Sequence, residues 1–219
     1  MSKKMMLLAL AVVSAAAFAL PAGASAAELH LTNVTKFTGT SSAGTLSAKE
    51  EPVIECKGPN HVEGTVSAGG TTGTISLDYT ECFSLFFPCN TAGAPSKTIK
   101  TGGTFHLITV NPLNPKPAIL ITPEHTTVIC PGIPNTTTVT GNLIGTITSP
   151  ECGKSSKKMT MSFNSSSGPT QEHKTYTGVT YNLTAQTVTP EGVGGAIKEA
   201  GLTATATTES TTEGTLDCT

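Results

Sequence analysis

The sequence predicts an all-β domain stapled by disulfides, an antiparallel β-sandwich with an antiparallel β-barrel as the alternative. Three observations predict it. Threonine alternates with apolar or small residues at a period of two, Gly and Pro clusters separate short runs of that pattern, and all six cysteines stand downstream of an export leader.

The leader comes first. Lys3 and Lys4 precede an apolar run from Met5 to Leu20, followed by Pro21, Gly23 and Ala24-Ser25-Ala26, the order of a secretory signal peptide. Residues 1–26 read as that peptide, with cleavage between Ala26 and Ala27, and residues 27–219 as a single extracellular domain. The apolar run is shorter than the roughly 20 residues a spanning helix needs. No second such run follows, and no Cys at the cleavage point offers a lipid site. The expected product is secreted or held at the cell surface, with no membrane span after cleavage.

The strands follow in order. Thr65-Val66, Thr74 to Tyr79 and Leu143 to Thr148 alternate polar and apolar positions, as strands with one wet face do. Further runs are Gly103 to Val110, Ala118 to Thr122, Thr126 to Cys130, Thr136 to Thr140, Lys158 to Phe163, Thr180 to Val188, Leu202 to Thr208 and Glu213 to Cys218. Asn111-Pro112-Leu113-Asn114-Pro115 reads as a turn, because proline removes a ladder donor and biases its predecessor away from helix. Asn164 to Tyr176 breaks the apolar pattern and reads as a long exposed loop, and Gly195 to Ala200 as one helical turn capped by Gly201. So many short strands make a sandwich or a barrel. The sandwich is preferred because it tolerates irregular loops such as Cys82 to Ala94, whereas a barrel would hide its strand edges.

The cysteines are Cys56, Cys82, Cys89, Cys130, Cys152 and Cys218. An even set in an exported chain reads as disulfides, and no Cys-x-x-Cys or closely spaced His pair gives zinc spacing. Loop closure favours near partners, so Cys82 is expected with Cys89. Cys56 and Cys130 both end β-branched runs and are expected as the second pair, which leaves Cys152 with Cys218.

Composition narrows the function. Without Lys3 and Lys4 the chain has 11 Lys against 15 acids, a formal charge of −4, and it contains no Arg and no Trp. A nucleic-acid partner is not expected, since no basic stripe exists to displace counterions from phosphates. No cofactor or metal is expected either. Ser155 to Lys158, Ser162 to Asn164 and Lys100 to Gly102 match the S-x-x-K, S-x-N and K-T-G strings of serine β-lactamases, but in the wrong order. They read as chance strings of a Ser/Thr/Lys-rich chain. Asp occurs only at 78 and 217, no G-x-S-x-G elbow exists, and His30, His61, His106, His125 and His173 are scattered. No catalytic residue is assigned.

The unusual element is Cys82-Phe83-Ser84-Leu85-Phe86-Phe87-Pro88-Cys89. Phe83, Leu85, Phe86 and Phe87 read first as a plug completing the core, with an apolar contact loop for a partner as the alternative. The order of a strand ending in Cys56, Gly73 to Leu77 leading to Cys82, Pro88-Cys89, a strand ending in Cys130, and Val139 to Pro150 resembles uncharacterised secreted, Cys-containing β-rich proteins of high-GC Gram-positive bacteria. That resemblance implies a β-rich secreted fold and no assigned activity. The leading expectation is a secreted or cell-surface β-domain that binds or builds, with a cell-wall or extracellular protein as partner. The rivals are a secreted hydrolase using carboxylate or His chemistry, and a carrier of small ligands with a lumen of several hundred Å³.

Overall fold

The computed structural model describes residues 29–110 and 116–218. The leader expected over residues 1–26 and the turn expected over Asn111 to Pro115 lie outside the described residues. Those described contain no helix and form β1 (Leu29–Thr32), β2 (Lys36–Ser41), β3 (Gly44–Ala48), β4 (Ile54–Cys56), β5 (Asn60–Val66), β6 (Thr72–Tyr79) and β7 (Cys82–Ser84). There follow β8 (Phe87–Pro88), β9 (Asn90–Thr91), β10 (Ile99–Val110), β11 (Lys116–Pro123), β12 (Thr126–Ile129), β13 (Thr136–Gly141) and β14 (Leu143–Ser149). The last third holds β15 (Ser155–Phe163), β16 (Ser165–Ser167), β17 (Thr170–Gln171), β18 (Thr175–Tyr176), β19 (Val179–Thr180), β20 (Leu183–Val188) and β21 (Lys198–Cys218).

Of the two architectures expected, the chain closes as the barrel. One ring runs β21–β2–β5–β6–β10–β11–β14–β15 and back to β21, every pair antiparallel. A second ring runs β21–β3–β4–β7–β8, crosses Cys89 into β9, and continues β12–β13–β20 to β21. The two orders match stave for stave. β2 continues into β3, β4 into β5, β6 into β7, β9 into β10, β11 into β12 and β13 into β14, while β15 resumes as β20. The structure is thus one long tube of eight staves, seven of them broken at a common waist, with β21 running unbroken through both rings. Closure pairs the backbone of each stave on both sides, which removes the edges that an open sheet exposes.

The period of two decides which side chains enter the tube. Along β6, Ile75, Leu77 and Tyr79 face in, and Thr74, Ser76 and Asp78 face out. The interior of the first ring holds Phe37, Val62, Ile75, Phe105, Leu107, Ile119, Ile121, Leu143, Ile147, Met161 and Phe163. Glycines make room for its aromatic rings. A Cβ on Gly64 would fall 2.3 Å from Phe37 Cζ, and one on Gly145 would fall 2.4 Å from Phe163 Cε1. Outside, hydroxyls link neighbouring staves: Thr65 to Thr74 at 2.7 Å, Thr140 to Thr184 at 3.0 Å and Ser155 to Thr215 at 2.7 Å.

Three sequence expectations change here. Leu202 to Thr208 and Glu213 to Cys218 are parts of the single strand β21, whose pairing with β15 shifts register between them. Gly195 to Ala200 forms no helical turn, because Lys198 to Ala200 pair with β20, and Ala200 also with Ala48. Asn164 to Tyr176 is no plain loop. It contains β16, β17 and β18, its Gln171 is buried, and Gln171 Nε2 donates to Leu202 O at 3.3 Å. Tyr176 and Tyr181 of this flap cover the outward-facing Ile108, Val110, Ala118, Leu120 and Ile144. That cover explains why Ala118 to Ile121 is apolar at every position: both faces of this strand are buried.

Candidate binding surfaces

Three disulfides form, and two of them correct the expected pairing. Cys56 bonds Cys82 and Cys89 bonds Cys130, in place of Cys82 with Cys89 and Cys56 with Cys130; the third bond joins Cys152 and Cys218. Sheet register is the reason. Cys56 and Cys82 stand directly opposite each other on β4 and β7. Cys89, across the hairpin from Cys82, faces the stave on its other side, where Cys130 follows β12. The four cysteines form one buried row across four adjacent staves of the second ring.

This row clamps the base of the β7–β8 hairpin, and the tip projects. Phe86 is 92% exposed and Leu85, held at φ 55°, is 64% exposed. Phe87 lies over Gly132, and Phe83 sits under Lys97 Nζ at 5.0 Å from the ring centre. The loop is therefore a knob and not a plug. The β3–β4 loop at the same end presents Val53, and the β20–β21 loop presents Val193 and Ile197. Among the described residues, six of the seven exposed large apolar side chains stand at this end; the seventh, Val179, is on the flap. Lys198 ties two of these loops together through Glu51 Oε1 at 2.7 Å, and this bond holds the ammonium above the usual lysine value.

Midway along the tube, where the rings meet, lies a cavity of about 90 Å³. Leu46, Leu77, Tyr79, Ile121, Leu143 and Leu202 are among the side chains around it, and a smaller space of about 20 Å³ adjoins it along Leu77 and Leu202. Leu46, Leu77, Tyr79 and Leu202 keep accessible surface although they face the tube's interior; that surface is the cavity wall. Burial pushes the Tyr79 phenol up to about 12. The alternation Ile75, Leu77, Tyr79 was the sequence signal for a tyrosine on the apolar face, and the sequence reading did not single it out.

The remaining candidates stay apart. Lys100 of the K-T-G string pairs with Asp78 at 2.8 Å on β10, whereas Ser155, Ser162 and Lys158 lie on β15, with β11 and β14 between. Glu63, Asp78, Glu124 and His125 border an open surface depression, not the apolar cavity. Among the described residues, no three His, Cys, Asp or Glu side chains are placed to hold a metal ion, and no helix is long and apolar enough to cross a membrane. Compared with known family models, curated proteins and solved structures, the chain matches none.

Proposed function

We propose that this chain is an exported β-barrel that binds another extracellular protein through its apolar end. The observation that carries the reading is the gathering of Leu85, Phe86 and four further exposed apolar side chains at one end of the tube. Exposed apolar surface costs free energy in water, and its concentration on loops above a disulfide row is the arrangement of a preorganised contact. A protein partner fits better than wall glycan, because the tip of the knob, Leu85 and Phe86, is apolar and projects. Three disulfides support maturation in an oxidising compartment, and the Lys3-to-Ala26 pattern supplies the route.

The test uses the full chain expressed in the cells that export it. N-terminal sequencing of the product should begin at Ala27. A Leu85→Ser, Phe86→Ser double variant should keep the wild-type Tm and lose about tenfold in the fraction retained on washed cells. Equal retention of variant and wild type would remove the apolar end as the contact surface.

A further inference from the structure

We infer that the cavity at the waist of the tube is a binding site for one small cyclic or branched apolar molecule carrying a single carbonyl or ether oxygen, which accepts a hydrogen bond from Tyr79 Oη. This site is separate from the apolar end and does not depend on it.

Size, polarity and one unsatisfied group lead to this ligand. The cavity measures about 90 Å³, well below the several hundred Å³ of a general carrier, and an apolar cavity of about 150 Å³ takes benzene while staying dry. A five-membered ring with modest side-chain adjustment is therefore the right scale. The wall is almost wholly apolar. Its threonine hydroxyls are already paired, Thr101 Oγ1 with Thr126 Oγ1 at 2.6 Å, and Thr126 Oγ1 also donates to Glu124 O at 3.0 Å. Tyr79 differs. Among the described residues its hydroxyl meets no hydrogen-bond partner, and its ring lies beside Gly44, Cε1 standing 3.1 Å from where a Cβ would be. The hydroxyl is not sealed off by protein atoms and keeps accessible surface, so an acceptor lodged in the cavity could complete it. The elevated pKa keeps the phenol protonated, so it donates and an oxygen acceptor is its complement.

Access exists beside the site. Gly102, Thr101 and Thr126 border both the cavity and the open depression outside, so the wall there is one residue thick. Gly102 contributes no side chain, and the Glu124 carboxylate lies nearest over it. This seam falls where β11 breaks before β12, the natural place for the tube to part.

The experiment compares cyclopentanone with cyclopentane on the intact, disulfide-bonded chain, following Leu and Ile methyl signals by NMR. Both probes should shift the methyls of Leu77, Ile121, Leu143 and Leu202. Tyr79→Phe should weaken cyclopentanone about tenfold and leave cyclopentane unchanged or tighter, since only the ketone loses a hydrogen bond. Leu202→Phe should abolish both; if that variant does not fold, the Tyr79→Phe comparison decides alone. Two results overturn the proposal: no methyl shift with either probe up to its solubility, or equal sensitivity of both probes to Tyr79→Phe.

Discussion

Cys82 and Cys89 face each other across one hairpin, the Cys89 N–H donating to the Cys82 carbonyl at 2.9 Å, yet each is bonded through sulfur to the stave on its far side. The hairpin is thus sewn to β4 on one flank and to the end of β12 on the other. Closure of the second ring depends on this, because β8 and β9 offer only two residues each for backbone pairing.

Removing the Cys89–Cys130 bond should therefore cost more than removing the knob it supports. A Cys89→Ala, Cys130→Ala variant should lose about 2–4 kcal/mol in urea unfolding. Leu85→Ser, Phe86→Ser should stay within about 0.5 kcal/mol of wild type, since exposed side chains contribute little to folding.

Aromatic rings seated over glycines set a second expectation. Gly145→Ala should destabilise by about 1–3 kcal/mol, because its Cβ would fall 2.4 Å from Phe163 Cε1 in a packed interior. Gly69→Ala meets only Thr71 Oγ1 at 3.9 Å and should be nearly neutral by the same thermal measurement.

Alkaline stability reports on Tyr79. The folded phenol keeps its proton up to about pH 12, whereas the unfolded one loses it near pH 10. The folded chain then binds the extra proton between those values, so stability is full below pH 10 and falls as pH rises toward 12. The loss is on the order of 2–3 kcal/mol. Urea midpoints measured across that window should fall for wild type relative to Tyr79→Phe.

The flap should matter to the outer core. Tyr181→Ala uncovers part of the cluster of Ile108, Val110, Leu120 and Ile144 and should lower stability by about 1–3 kcal/mol. Amide exchange should speed up in β10 and β11 before it does in β5.

Much of this was legible because a strand announces itself locally. Thr74 to Tyr79 alternates clearly, and its inward and outward faces follow at once; Leu143 to Thr148 is less plain, because the outward Ile144 is buried beneath the flap. Closure is not local. Ser42-Ala43 and Asn142 are each a kink within one stave, which only pairing with distant β21, β5, β11 and β20 fixes. Cysteine pairing failed for the same reason: loop length favours Cys82 with Cys89, but register between β4 and β7 places Cys56 opposite Cys82. The Phe-rich loop could be read as knob or plug, since a sequence does not show which end of a sheet is open. Tyr79 was hidden by its ordinary place in an apolar stripe, and only the void beside it gives it meaning.

The most direct test of the tube is non-reducing peptide mapping of the native protein. Cys56–Cys82, Cys89–Cys130 and Cys152–Cys218 peptides are expected, with no reactive thiol. A peptide joining Cys82 to Cys89, or free thiols in the native product, would contradict this closure.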